Sequence, residues 1–197
     1  ILSRFTRTLG AVTDHLDHYD FDKAMREVEG FAWKEFADHY VEMTKHRTRG
    51  GDASVRYTLY TVYLGILKMM VPMLPHVTED AYQPFARMDG ARSVHVSKWP
   101  EPVLIDEEAE RRGDLTKEVI ASIRTWKAEK KYPLNKELAR VEVVGERAID
   151  LEGYEDDIAQ TVRAGAVELL HVADLEKTAV AVRPVHARLG PMFKDRA

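Results

Sequence analysis

Between Phe21 and Met43 an apolar side chain returns every three or four positions, through Phe21, Met25, Val28, Ala32, Phe36, Tyr40 and Met43. That period, sustained for about six turns, lines one face of an α-helix, and a face that long needs other helices to cover it. The neighbouring segments supply them. Residues 1–18 carry Leu2, Phe5, Leu9, Val12 and Leu16 at near-helical spacing, and Tyr19-Asp20 interrupts the pattern. Asp20 or Asp22 is placed to cap the long second helix. Arg49-Gly50-Gly51-Asp52 ends it, and Asp52 or Ser54 opens a third helix with Val55, Leu59, Val62, Ile66 and Met69 as its apolar stripe. Pro72 and Pro75 stop that helix, because each lacks an N–H and crowds the preceding turn. Pro75 suits the first turn of a short fourth helix running through Ala81.

From Pro84 to Pro102 the character changes. Ser93-Val94-His95-Val96-Ser97 alternates, which predicts an extended linker lying on the bundle with Trp99 as its apolar anchor. Asp106-Glu107-Glu108 suits a helix N-terminus. The fifth helix should continue to about Lys131 and stop at Pro133, with Gly113 weak enough to split it into two pieces. After Leu138 the period falls to near 2. Strands are expected at Leu138–Val144, 166–172 and 178–182, with a helix over Tyr154–Ala164. The expected fold is mainly α: a helical bundle over 1–90, a linker over 91–105, a basic helix completing the bundle over 106–135, and a small α+β subdomain over 136–197.

Chemistry of a catalytic kind finds little footing. There is no cysteine, so disulfides and thiolate metal sites are excluded, and a reducing cytoplasm is the expected location. No apolar run approaches the roughly 20 residues that span a bilayer. The start at Ile1-Leu2-Ser3 reads as a piece of a longer chain. Arg49-Gly50-Gly51-Asp52 lacks the lysine and spacing of a phosphate loop, and no GxSxG or kinase-like motif occurs. His15 and His18, with Asp14, sit at a helix end without a matching downstream ligand pair, so a solvated helix end is expected and no metal.

Charge is informative through its distribution. The chain carries a net −4, yet nine basic residues face four acidic ones between Arg111 and Arg140. Lys45, Arg47, Arg49, Arg56 and Lys68 stand against Asp52 alone between Met43 and Lys68. On the fifth helix, Leu115, Val119, Ile123 and Trp126 should face the core. Lys117, Arg124 and Lys131 recur every seven residues on the opposite side, flanked by Lys127. Such a row can follow a phosphate backbone and release counterions, or it can be an ordinary solvated surface. Trp33, Phe36 and Tyr40 offer rings for base stacking. Phe36 and Tyr40 lie on the apolar stripe and read as core, while Trp33 lies off its centre.

Phe21-Asp22-Lys23-Ala24-Met25 with Phe31-Ala32-Trp33-Lys34-Glu35-Phe36-Ala37-Asp38-His39-Tyr40 resembles the helix of the anticodon-binding domain of class I aminoacyl-tRNA synthetases. So do Pro75-His76-Val77-Thr78-Glu79-Asp80 and Ser93-Val94-His95-Val96-Ser97-Lys98-Trp99-Pro100 in the segments that follow. The stretch Ile123-Arg124-Thr125-Trp126-Lys127-Ala128-Glu129 through Leu134-Asn135 is similar to valyl enzymes of the archaeal type. The Arg-Gln-Pro-Leu element expected of isoleucyl enzymes is absent. Leu189-Gly190-Pro191-Met192-Phe193-Lys194 is similar to tails of archaeal synthetases for branched amino acids in general. The His-Ile-Gly-His and Lys-Met-Ser-Lys-Ser catalytic signatures do not occur.

The resemblance implies a non-catalytic part that binds the anticodon region of tRNA(Val). The parent enzyme would join valine to that tRNA with ATP and Mg, and this part would need no cofactor. Its partners would be the tRNA and the catalytic and editing domains of the same parent chain, with no membrane. The implied contacts are Lys34, Lys45, Arg47, Arg49 and Arg56, with Trp33 for stacking, and Lys117, Arg124, Lys127 and Lys131 for phosphates. The alternatives are a fragment of an isoleucyl or leucyl enzyme, or a helical module that binds a protein.

Overall fold

A computed structural model describes residues 1–170 and 181–185. The chain divides into two compact units, Ile1–Glu110 and Arg111–Ala197. This differs from the expected grouping of 106–135 with the bundle, since all but the first turn of that helix belongs to the second unit.

The first unit is helical. Helix α1 spans Leu2–Asp17. A continuous rod follows, formed by α2 (Phe21–Gly30), a π-helical stretch (Phe31–Val41) and α3 (Glu42–Arg49). Helix α4 (Ala53–Met70) lies between two apolar clusters. On one side Val62, Ile66 and Met69 join Phe5, Leu9 and Val12 of α1 and Ala24, Val28, Phe31 and Phe36 of the rod. On the other, Leu64 and Leu67 pack with Tyr82 and Val94. A helix apolar on both sides is a buried one. Gly65 lets α1 come close, since a Cβ there would lie 2.3 Å from the Phe5 ring.

Polar staples then hold the segments the core does not reach. Helix α5 (Pro75–Tyr82) begins on its proline, and Thr78 Oγ1 donates to the Leu74 carbonyl at 2.7 Å. The Glu79 carboxylate accepts from the Val94 N–H and the Ser93 hydroxyl, each at 2.9 Å. Those partners explain the Pro-His-Val-Thr-Glu segment as a clamp on residues 93–96. The linker returns along α1 on a row of hydroxyls. Thr13 Oγ1 takes the Trp99 indole N–H at 3.0 Å, Thr6 Oγ1 takes the Val103 N–H at 3.0 Å, and Ser3 Oγ takes the Asp106 N–H at 2.9 Å. Trp99 therefore anchors through its N–H as well as its ring.

Several local expectations are corrected. Residues 93–97 are extended only at their ends, Ser93 and Ser97: Val94–Val96 forms a 3₁₀ turn capped by Ser93. Asp20 stands at the N-cap of α2, but its carboxylate pairs with Lys23 at 2.7 Å rather than with backbone N–H groups. Asp52 does cap α4, accepting from Ser54 and Val55. Helix α6 (Ala86–Asp89) is a single turn that brings Asp89 to Lys68 Nζ and the Tyr82 hydroxyl.

In the second unit, α7 runs unbroken through Gly113 from Glu107 to Glu129, its first turn lying in the first unit. A three-stranded sheet has β1 (Arg140–Val144) at its centre, parallel to β2 (Val167–Leu170) and antiparallel to β3 (Ala181–Val185). Val141 pairs with Val167 on one side and Pro184 on the other. Parallel neighbours need a crossover, here a 3₁₀ segment and α8 (Glu155–Val162). The expected strand ends at 171–172 and 178–180, and the Leu189–Lys194 tail, lie outside the described residues.

Asp89 yields a pH-dependent test. Burial pushes its carboxyl up, but the bonds from Lys68 and Tyr82 outweigh this and hold it below the ordinary value of 3.8. A carboxylate depressed on folding adds stability above its unfolded pKa, and that stability is lost as pH falls through the folded value. Asp89→Asn is expected to cost about 1–3 kcal/mol near neutral pH. Its deficit in thermal melts should shrink as the pH is lowered below 3.8. A deficit constant down to pH ~2 would contradict the network.

Candidate nucleic-acid interface

The sequence-derived contacts fall in separate places. In the first unit the rod ends in a tight hairpin. The Asp52 N–H donates to the Arg47 carbonyl at 3.0 Å, and Gly51 takes φ +86 in the turn. The Asp52 carboxylate is held below its ordinary range, first by the Val55 N–H and then by Arg47. Arg47 contacts it at 2.9 and 3.0 Å, and Lys45 pairs with Glu42 at 3.1 Å. Arg56 reaches the Thr48 carbonyl at 3.5 Å. Arg49 and Arg56 have no carboxylate partner among the described residues. Among the described residues they are thus the two arginines of this tip that form no direct ion pair. Tyr57, adjacent to Arg56, is 62% exposed. Sequence reasoning missed it, although it lies off the Val55–Leu59–Val62 stripe.

Trp33 and Lys34 sit elsewhere on the rod. Trp33 is 63% exposed, whereas Phe36 is buried and stacks on Tyr40 at 6.4 Å. Trp33 therefore presents an aromatic face to solvent, and the other two rings serve the core. Sixteen residues of helix put Trp33 on the order of 20 Å from Arg49, so the ring and the basic tip are two patches. The π-helical stretch carries Trp33; π-helical turns are rare and frequent at functional sites. Lys34 borders a cleft of about 300 Å³ with Arg4, Arg7 and Arg26. Arg4 pairs with Glu35, Arg7 with Glu110 and Glu107, and Arg26 with Asp22. The cleft is nearly neutral as a result.

In the second unit the expected row on α7 is broken. Lys117 pairs with Asp114 at 2.9 Å. Arg124 is half-buried and Lys131 exposed. Lys127 is 1% exposed, which corrects its assignment as a phosphate contact. It lies four residues after Ile123 and seven after Ile120, on the buried stripe itself. Its ammonium donates to the carbonyls of Val162 at 2.7 Å, Lys136 at 2.6 Å and Leu134 at 3.0 Å. Three donors meet three acceptors. Burial pushes its pKa down, and Arg163 and Arg124 add to the effect. Trp126, expected in the core, is half-buried beside Tyr132.

Among the described residues, no group of three or more His, Cys, Asp or Glu gathers as a metal site. No helix there is long and apolar enough to cross a membrane. His18 Nδ1 lies 2.8 Å from the Asp14 carbonyl, and this contact, followed by the Asp14 charge, raises its pKa.

Sequence comparison places the chain in a known family. Residues 1–143 match the family described as the anticodon-binding domain of tRNA ligase, and the chain belongs to that family. It is 37% identical to the valine–tRNA ligase of Natronomonas pharaonis, over 100% of this chain and 22% of that protein. Identity to the valine–tRNA ligase of Pyrococcus furiosus is 35% over 98% of this chain and 23% of the relative. For that of Methanothermobacter thermautotrophicus it is 34%, over 100% and 23%. The chain thus spans about a fifth of the length of these curated relatives.

Lys127→Met keeps the aliphatic stem and leaves three carbonyls without their donor. It is expected to cost roughly 3–5 kcal/mol in urea unfolding. A change within about 0.5 kcal/mol would show that the ammonium is not holding the second unit together.

Proposed function

We propose that this chain is the tRNA-holding part of an archaeal-type valine–tRNA ligase, binding the anticodon region of tRNA(Val). The carrying observation is the family match over residues 1–143, joined to similarity with valine–tRNA ligases along the whole chain. The parent would attach valine to tRNA with ATP and Mg, held in the catalytic domain, and an editing domain would complete it. The part described here would work in the cytoplasm, positioning the tRNA and needing no cofactor.

The exposed chemistry supports a division of labour. Arg49 and Arg56, with Lys45 and Arg47 beside them, would meet phosphates at the hairpin, where Tyr57 adds a ring. Trp33 with Lys34 would offer a second contact, a stacked base beside a cation. Base–aromatic stacking contributes about 1–3 kcal/mol. Arg124, Lys131 and Lys117 would hold phosphates from the second unit. Phosphate contacts position the RNA, while base contacts specify it.

The reading is tested with valine tRNA and isoleucine tRNA transcripts in a salt series. Valine tRNA should bind more tightly, and an altered anticodon should weaken it. Arg49→Glu with Arg56→Glu should flatten the log–log salt slope by about two units, at ~0.9 per phosphate. An unchanged slope would remove the hairpin from the interface. Preference for isoleucine tRNA would overturn the valyl assignment, and salt-insensitive failure to bind any tRNA would favour a protein partner.

A further inference from the structure

Two helices of the second unit end in the same unusual way, and both endings bear a cation. Helix α7 closes with Lys131 at φ 57, its N–H donating to Ala128 O and that of Tyr132 to Lys127 O. Helix α8 closes with Arg163 at φ 55 and ψ 51, with the Ala164 N–H donating to Ala159 O at 2.8 Å. Glycine is the usual residue at such a left-handed cap, because it has no Cβ to strain. A long charged side chain there opposes the local backbone preference, so the packing of the cap alone does not explain it.

The buried ammonium of Lys127 gathers these ends. It binds the carbonyl of Val162, the residue directly before Arg163. Arg124 lies three residues before Lys127, hence on the neighbouring turn of α7. Arg163 is exposed and Arg124 half-buried. Neither they nor Lys131 has an ion-pair partner among the described residues. That both guanidiniums act on the Lys127 ammonium agrees with their closeness to it. Three cations with no ion pair among the described residues thus border one junction, where mutual repulsion is unfavourable unless an anion relieves it.

We infer that Arg163 belongs, with Arg124 and Lys131, to a phosphate-binding cluster for the RNA backbone, and that Lys127 positions it without touching the ligand. This rests on the tRNA-binding reading. It adds Arg163 to the interface and replaces the straight row along α7 by a cluster drawn from two helix ends. A planar guanidinium can hold one phosphate through two N–H donors.

Arg163→Gly separates this role from a structural one. The substitution removes the charge and relieves the left-handed backbone, so the melting temperature of the chain should be unchanged or raised. Binding to valine tRNA transcript should weaken about eightfold at 0.1 M salt, converge with wild type near 1 M, and lose ~0.9 units of salt slope. Arg163→Lys keeps the charge and should retain most of the slope. Raised or unchanged stability with an unaltered slope would overturn the inference while leaving the tRNA reading intact. A drop in melting temperature that accounts for the weakened binding would mark Arg163 as a structural cap and overturn it too. Failure of the wild-type chain to bind the transcript at any salt would defeat the tRNA reading itself, and this inference with it.

Discussion

A lysine ammonium bound to three carbonyls governs the second unit. Burying a charge is costly unless protein groups replace the hydrogen bonds that water would have made to it. Lys127 meets that condition through the carbonyls of Leu134, Lys136 and Val162. Those acceptors belong to the loop after α7 and to the end of α8, segments with little reason of their own to stay together. The bond to Val162 also places a cation at a helix C-terminus, where the backbone dipole favours positive charge. One side chain therefore sets the path from α7 to β1 and the spacing of α8 from α7. Arg112 repeats the device near the other end of the helix, donating to the Asp150 carbonyl at 2.7 Å and lying 4.9 Å over the Tyr154 ring.

The first unit reaches stability by another route. Its core is a helix buried on two sides, and directional bonds are left to the periphery. Gly65 sets the distance between α4 and α1, and the hydroxyls of Ser3, Thr6 and Thr13 then receive a strap whose apolar side chains are only partly covered. Val103, Leu104 and Ile105 stay 41–52% exposed, so backbone and indole N–H groups supplement a partial apolar burial in holding the strap. Each such bond contributes about 1 kcal/mol, and together they outweigh the freedom of the strap only because α1 is already rigid.

Much of this architecture is legible in the sequence because period reports burial. Phe5, Leu9, Val12, Val28, Phe36, Val62 and Met69 all fall on predicted stripes and all lie in one core. The Asp52 cap and the Pro75 helix start follow from local chemistry that needs no tertiary partner. What escapes are features that depend on distant residues. Ser93–Ser97 alternates like a strand, but the Glu79 carboxylate holds its Ser93 hydroxyl and Val94 N–H, and Val94–Val96 turns as a 3₁₀ helix. Charge alone makes Lys127 look like a surface residue, although its spacing from Ile120 and Ile123 puts it on the buried face. Its three acceptors lie seven, nine and 35 residues away, beyond any local pattern. Tyr57 and Arg163 escape because nothing in a helix stripe marks an exposed ring or a left-handed cap.

The same limit explains how a chain of net −4 can present surfaces to a polyanion. Fields between exposed charges fade over a Debye length of roughly 8 Å, so near partners matter more than the total. Arg4 and Arg7 on α1 face Glu35, Glu107 and Glu110. Lys45, Arg47 and Lys117 face Glu42, Asp52 and Asp114. A phosphate approaching any of these must share its cation with a carboxylate, which weakens the attraction and the counterion release that accompanies it. Arg49, Arg56, Arg124, Lys131 and Arg163 have no such competitor among the described residues. Acids gather along the rod, from Asp20 to Glu42, and again between Glu101 and Glu110. Of the cations without a competitor, Arg49, Lys131 and Arg163 stand at helix ends, where an extended backbone can reach them.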